Sequence, residues 1–194
     1  MHAAIAATFL LAQAVPAAPA AGTAAPRPAC LPDAGGYLQA RLRGDLEARV
    51  EWRADSLECT GMSRPDARGL RVRFSGALPD GRRLGLLFAV PTLAEGASAR
   101  GVPVNLTLIV EGAAVIYGTQ GTDRCLLDEV RQTPLVAPGI APRSFRIDGR
   151  GYCTGPARAV TGPGSILVTS FDFAGMVVFA EDDGAAPTAT EPHP

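Results

Sequence analysis

The sequence contains no lysine, and all 18 of its basic residues are arginine. Chemistry that forms a Schiff base on a lysine is therefore excluded, and so is a P-loop, whose phosphate-binding motif requires a lysine. The formal net charge is only −1, so the chain as a whole does not attract nucleic acid or an anionic membrane. We expect no nucleic-acid partner.

Histidine is nearly absent as well, since the only two are His2 and His193. A Ser–His–Asp or Cys–His nucleophile system needs an imidazole held inside the fold, and a typical catalytic zinc site needs histidine ligands. We therefore predict no catalytic residue of these kinds, no metal site and no cofactor. The enzymatic alternative is a hydrolase that uses carboxylates alone, around Asp123, Asp128 and Asp172.

No apolar run is long enough to span a membrane, which takes about 20 apolar residues. Residues 3–15 form a shorter apolar run, and small residues follow it, as in a secretory signal peptide. We predict a signal peptide over residues 1–20, an Ala/Pro-rich linker over 21–36 and a single β domain over 37–180. Residues 181–194 are acidic, rich in Pro and Thr, and predicted to be a disordered tail.

Cysteine is scarce but even in number, at positions 30, 59, 125 and 153. None of the four forms a Cys-x-x-Cys pair, which disfavours a zinc ribbon or a thioredoxin-like motif. In an oxidising compartment they predict two disulfides. Of the three possible connectivities we favour Cys30–Cys59 with Cys125–Cys153, because each of these bonds joins neighbouring segments.

Apolar residues recur at every second position, the period of a β-strand. Residues 69–78 and 82–90 flank the turn Pro79-Asp80-Gly81. A three-residue loop would pair Val72 with Phe88 and Phe74 with Leu86, and would require the left-handed conformation at Gly81. The side chains predicted to share one buried face are Leu70, Val72, Phe74, Leu84, Leu86, Phe88 and Val90.

Further alternating segments follow, and residues 102–110 place Val104, Leu106, Leu108 and Val110 on one side. Only residues 37–49 also fit a helix, although they run into a segment that reads equally well as a first strand. Many short strands with frequent turns and no βαβ alternation predict an all-β fold. An antiparallel β-sandwich is the expected architecture, and a small antiparallel β-barrel is the alternative.

Several short segments resemble a group of exported, β-rich bacterial envelope proteins with no known activity. The resemblance covers about residues 37–179 and implies a β fold and a bacterial envelope setting. Together with the predicted signal peptide, it leads us to expect a location in the bacterial periplasm or outside the cell. The resemblance brings no catalytic signature. The segments that carry it are residues 64–66, 69–74, 105–107, 117–119 with 123–125, and 171–175.

Two groups of residues are candidates for ligand binding. The first is the polar turn over residues 117–125, whose hydroxyl, amide and charged groups would suit a small polar ligand, or would simply serve the turn. The second is a pair of arginines on one strand face, which would suit phosphate, sulfate or a carboxylate-bearing glycan. The candidate residues are Tyr117, Thr119, Gln120, Asp123 and Arg124 in the turn, and Arg71 and Arg73 on the strand.

We therefore expect a non-catalytic exported β domain that binds a partner protein or an envelope component such as a glycan. The alternatives are the carboxylate-dependent hydrolase and a carrier for a small apolar ligand. A carrier would hold its ligand between inward-pointing side chains, of which Leu86, Phe88, Leu106 and Leu108 are the candidates.

Overall fold

The period-two pattern folds into strands throughout the described chain. The computed structural model describes residues 30–179 except 33, 65–67, 114, 120, 122 and 123. One 3-10 turn, Ala54–Ser56, separates the second strand from the third. The strands are β1 Tyr37–Gly44, β2 Ala48–Arg53, β3 Glu58–Ser63, β4 Leu70–Ala77, β5 Arg83–Val90, β6 Val102–Pro103, β7 Asn105–Val110, β8 Val115–Gly118, β9 Cys125–Pro134, β10 Ser144–Cys153, β11 Ala157–Ala159 and β12 Ser165–Val178.

The hairpin of β4 and β5 confirms the predicted register, with Val72 opposite Phe88 and Phe74 opposite Leu86. Gly81 has a φ of +84°, the left-handed conformation that the three-residue loop requires and that glycine adopts without strain. All seven side chains predicted for the buried face are buried. The second alternating segment is also confirmed, since Val104, Leu106, Leu108 and Val110 are buried.

Residues 37–49 are not helical, so that interpretation is wrong. They form β1 and the start of β2, and Leu38, Ala40 and Leu42 point inward at a spacing of two residues. β1 pairs with β2 on one side and with β12 on the other. These backbone hydrogen bonds to two neighbouring strands decide against the helix that the leucine spacing also permits.

The twelve strands form one sheet that closes on itself through β12, the longest strand. The hydrogen-bonded order runs from β11 through β8, β7, β5, β4 and β3 to β12, and β11 pairs with β12 again. All these pairings are antiparallel except that of β12 with β3, which is parallel and joins one residue pair, Val178 and Met62. The predicted all-β antiparallel class is confirmed, and the closed order fits both a sandwich-like and a barrel-like description.

A bulge allows β12 to bury apolar side chains in the core along its whole length. Ser170 lies opposite Arg41 and Val168 opposite Leu42, so Thr169 is an extra residue. Such a residue shifts the alternation of a strand by one position. As a result Ile166 and Val168 point inward before the bulge, and Phe171 and Phe173 point inward after it.

Phenylalanine rings fill the centre of the molecule. The ring of Phe88 lies 4.8 Å from that of Phe173, 5.0 Å from that of Phe171 and 6.0 Å from that of Phe74. Phe74 also contacts Phe173 at 5.2 Å. These tilted and edge-on arrangements are favourable for aromatic pairs. The rings fill the interior that the sheet encloses.

Both predicted disulfides are present, and the described chain has no free cysteine. Cys30–Cys59 ties the chain ahead of β1 to β3, and Cys30 and Leu31, which lie within the predicted linker, are buried. Cys125–Cys153 joins the first residue of β9 to the last residue of β10, which lie opposite each other.

The predicted signal peptide, most of the linker and the predicted acidic tail lie outside the described residues. In the part that the structure describes, no helix is long and apolar enough to cross a membrane.

Gly76 lets the β1–β2 hairpin pack against β4. A Cβ atom at this position would lie 2.6 Å from Cδ2 of Trp52 and 2.8 Å from the carbonyl oxygen of Ser56. The Trp52 ring is also fixed by its indole Nε1, which donates a hydrogen bond of 2.8 Å to the carbonyl of Ala77. Neither the Trp52 ring nor the Ser56 carbonyl can therefore move away freely from a Cβ at position 76.

We therefore expect Gly76→Ala to lower the free energy of unfolding by about 1–3 kcal/mol, the usual cost of overpacking a core. Gly85→Ala is the matched control, because its Cβ would meet only the flexible Arg73 side chain, at 3.4 Å. That control should change stability by less than about 1 kcal/mol. Urea unfolding of both variants is the measurement, and equal losses would show that Trp52 does not restrict position 76.

Candidate functional site

The described part of the predicted polar turn is engaged in holding strands together. The Tyr117 side chain is buried, and its hydroxyl donates to Oδ2 of Asp45 at 3.3 Å. Thr119 Oγ1 accepts a hydrogen bond of 3.0 Å from the backbone N–H of Leu106. Gln120 and Asp123 lie outside the described residues, so their predicted role in ligand binding stays a prediction.

Arg124, at the end of that turn, contributes its backbone to a second contact between chain segments. Its carbonyl oxygen accepts from the N–H of Thr154 at 2.7 Å and from the Thr154 hydroxyl at 3.2 Å. Its side chain passes close to Gly155, since a Cβ there would lie 2.8 Å from Nη1 of Arg124.

Arg71 and Arg73 lie on the outer side of β4, as predicted, but in different surroundings. Nη2 of Arg71 lies 3.9 Å from the sulfur of Met62, and its Nε is buried without a hydrogen-bond partner in the described part of the chain. Arg73 lies 3.7 Å from Glu111, and Glu111 also pairs with Arg83 at 3.2 Å. The sheet surface around β4 therefore carries a small charge network at one end and a less engaged arginine at the other.

The carboxylates proposed for a hydrolase do not share one site among the described residues. Asp128 is the extra residue of a bulge in β9 and is exposed. Asp172 lies on β12 and accepts a hydrogen bond of 2.7 Å from the hydroxyl of Tyr37. Asp123, the third of these residues, is not described.

A larger polar surface lies on the outer side of the strands β2, β1, β12, β10 and β9, which are neighbours in this order. We call it the charged face. Two shallow grooves, of about 380 and 390 Å³, run over it and share Asp172 as a common wall. The charged residues that line them are Arg41, Arg49, Glu51, Glu129, Arg131, Arg146, Asp148, Arg150 and Asp172.

Strand register builds this surface by placing charges in transverse rows. Arg150 of β10 lies between Asp172 of β12 and Glu129 of β9, and Asp148 lies opposite Arg131. Side chains directly opposite each other on antiparallel strands are close enough to interact. The charges therefore alternate in sign from one strand to the next and also along each strand.

Most of these charges are paired with a neighbour. Arg146 holds Asp148 with two parallel hydrogen bonds, each of 2.9 Å, from Nε and Nη2. Glu129 accepts from Arg131 and from Arg150, each at 3.0 Å. Exposed pairs of this kind contribute about 0–1 kcal/mol each to stability, so they orient the arginines more than they stabilise the fold.

Tyr37 is an aromatic residue of the charged face that lines one of the grooves. Its ring contacts the guanidinium of Arg53, which lies 5.7 Å from the ring centroid, while its hydroxyl is held by Asp172. Burial raises the pKa of Tyr37 to about 12, together with the hydrogen bond to Asp172 and the negative charges of Asp172 and Asp148. The hydroxyl is therefore protonated at neutral pH and donates a hydrogen bond to Asp172.

The grooves carry a small excess of positive charge, since five arginines and four carboxylates line them. Arg41 is exposed and forms no ion pair within the described residues. Arg43 and Arg53 extend the same outer side of β1 and β2. The face is therefore more positive than the chain as a whole, whose net charge is −1.

Sequence reasoning missed this surface although its elements were visible. Charges at alternate positions appear as Arg49, Glu51 and Arg53, and again as Arg146, Asp148 and Arg150. The pattern indicates outward-facing strand positions. It does not reveal that β2 and β10, far apart in sequence, belong to the same side of one sheet.

Within residues 30–179 as described, no group of three or more His, Cys, Asp or Glu side chains is arranged to hold a metal ion. Comparisons with protein-family models, curated proteins and solved structures found no match. The resemblance to exported bacterial envelope proteins remains a prediction.

The pKa of Tyr37 provides a test of the geometry of the charged face. Asp172→Asn removes the charged acceptor, so we expect the pKa of Tyr37 to fall from about 12 toward its ordinary value, with burial keeping it above that value. The measurement is a titration of tyrosinate absorbance, from which the curve of a Tyr37→Phe variant is subtracted.

The same contact predicts how stability depends on pH. A raised folded-state pKa stabilises the protein fully below the unfolded-state pKa, here 10.0, and this contribution is lost as the pH rises through about 12. Asp172→Asn should make that loss smaller. An unchanged Tyr37 pKa in the variant would mean that the hydrogen bond between Tyr37 and Asp172 does not exist in solution.

Proposed function

We propose that this chain is an exported, non-catalytic binding domain and that the charged face is its binding surface. The observation that carries the proposal is the pair of adjoining grooves on one side of the sheet, lined by five arginines. Neighbouring carboxylates already hold three of them, Arg131, Arg146 and Arg150, in place. Side chains oriented before binding lose less conformational entropy when a ligand arrives.

The chemistry of the face favours an extended acidic ligand. Arginine in a fixed orientation binds carboxylate or phosphate groups through two parallel hydrogen bonds. The two grooves share Asp172 and together cross five strands, so they suit a polymer with repeated negative charges better than one small molecule. A carboxylate-bearing envelope glycan and an acidic segment of a partner protein both present that chemistry.

Export is supported by the two disulfides, because such bonds persist in oxidising compartments. The apolar run followed by small residues at the start of the sequence supports it as well. We propose the bacterial periplasm or the extracellular space as the location.

Neither alternative function has the same support. The inward side chains proposed for a carrier, Leu86, Phe88, Leu106 and Leu108, are almost completely buried, and the ring of Phe88 is enclosed by other phenylalanines. For a hydrolase, Asp148 and Asp172 line one groove, but fixed donors from Arg146 and Tyr37 already engage both carboxylates.

The test uses the oxidised domain, with alginate, a polyuronate, and polyglutamate as probes for the two sources of acidic polymer. We expect Arg131→Ser combined with Arg150→Ser to weaken binding by about tenfold or more, since each hydrogen bond to a charged group contributes about 1.5–3 kcal/mol. Calorimetry at low and high salt is the measurement, and the affinity should fall with salt.

Arg71→Ser combined with Arg73→Ser, on the outer side of β4, is the matched control. If only this control loses binding, the strand face predicted from sequence is the site and the charged face is not. If the wild-type domain binds neither polymer and retains nothing from an envelope extract, the proposed function is wrong. Hydrolysis of alginate by the wild-type domain would favour the carboxylate enzyme.

A further inference from the structure

The strand β2 is an edge of the sheet. It pairs with β1 along one side, and no other strand of the described chain lies against its second side. A groove of about 370 Å³ runs there, with Arg49, Glu51 and Trp52 on the β2 side and Ala77, Leu78 and Pro79 on the other. The open side of β2 therefore faces a groove whose other wall is apolar.

The register of the β1–β2 hairpin determines which backbone groups face that space. The N–H of Ala54 donates to the carbonyl of Gly36. Hydrogen-bonded and non-hydrogen-bonded pairs alternate in an antiparallel ladder. Val50, opposite Ala40, and Trp52, opposite Leu38, therefore bond to β1, whereas Arg49 and Glu51 direct their N–H and C=O groups to the open side. The N–H and C=O of Arg53 are engaged by the Ser56 hydroxyl.

The side chains along this edge alternate in sign. Glu47, Arg49, Glu51 and Arg53 are all exposed and are two residues apart. Charged residues on an edge strand usually discourage pairing with another chain. In this case the alternation makes the strand complementary to an antiparallel copy of itself.

We propose that the domain forms a twofold homodimer through antiparallel pairing of β2 with β2 of a second copy, with Val50 opposite Val50. In this register Arg49 lies opposite Glu51 of the second copy, and Glu47, which directly precedes β2, lies opposite Arg53. By symmetry each contact occurs twice, as in any isologous interface. Every charge of the edge then faces an opposite charge.

Other registers do not give this match. A shift that places Glu51 opposite Glu51 also places Arg49 opposite Arg53, and parallel pairing in register sets each charge against its own kind. A shift in the other sense places Arg49 opposite Arg49 and Glu47 opposite Glu51. The register with Trp52 opposite Trp52 pairs Glu51 with Arg53, but it overlaps only the last three residues of β2 and sets Arg49 opposite Asp55, in the 3-10 turn Ala54–Ser56. Backbone hydrogen bonds would supply the attraction, and the charges select the direction and the register.

The experiment measures self-association of the oxidised domain by sedimentation equilibrium. We expect a dimer for the wild type and a dissociation constant raised about tenfold or more for Glu51→Arg, because two attractive cross-strand pairs become repulsive. Arg49→Glu alone should have the same effect. Asp55→Arg reverses a charge next to β2 but outside the paired register, so this control should dimerise like the wild type.

Charge complementation separates the proposed interface from a loss of folding. An equimolar mixture of Arg49→Glu and Glu51→Arg should form a heterodimer, and a single chain that carries both changes should dimerise again. Hydrogen exchange adds a check on the strand, because the amides of Arg49 and Glu51 should gain protection as the protein concentration rises. The amides of Val50 and Trp52 should be protected at every concentration.

A monomeric wild type would overturn the proposal. A dimer that persists unchanged in both single variants would overturn it as well, since the interface would then lie elsewhere. These outcomes do not bear on polymer binding by the charged face, which is measured separately at low protein concentration.

Discussion

Phe171 and Phe173 pack from the inner side of β12 against Phe74 and Phe88, and each such ring removes about 150–250 Å² of surface from water. Because strand side chains alternate in direction, burial of these two rings places Asp172, the residue between them, on the outer side. The core contact thus determines where the centre of the charged face lies.

β12 has this influence because of its position in the sheet. It pairs with β1 on one side and with β10 on the other, so charges from both neighbours are brought beside Asp172. Close packing contributes to the same arrangement. A Cβ at Gly149 of β10 would lie 2.5 Å from Cζ of Phe173, so the bare glycine backbone lets the ring lie directly against β10.

The two surfaces proposed for interaction differ in physical character. The charged face presents side chains that are ion-paired with one another, and a ligand there must compete with these pairs and with salt. The β2 edge presents backbone groups that have no partner in the sheet, and a second strand satisfies them directly. Arg49 and Glu51 belong to both surfaces, so an antiparallel dimer would place two charged faces next to each other.

Much of the fold follows from local patterns in the sequence. The alternation of Val72 and Phe74 with arginines, and the turn that ends at Gly81, determine the β4–β5 hairpin down to its register. The short separation of Cys125 and Cys153 favours a bond between neighbouring segments, and both cysteines stand at the ends of adjacent strands. These features depend on strand period and on turn chemistry, which residues close in sequence supply.

The helical interpretation of residues 37–49 failed for the opposite reason, because β12, more than 120 residues later, provides the hydrogen bonds that make β1 a strand. The charged face depends on the same distant partners, since Tyr37, Asp148 and Asp172 meet only after three strands have paired. The sequence by itself determined that these positions point outward and that the phenylalanines point inward, because side-chain direction follows from strand period alone. Only the tertiary structure decided which charges become neighbours, because strand order and register between distant segments depend on how the whole core packs.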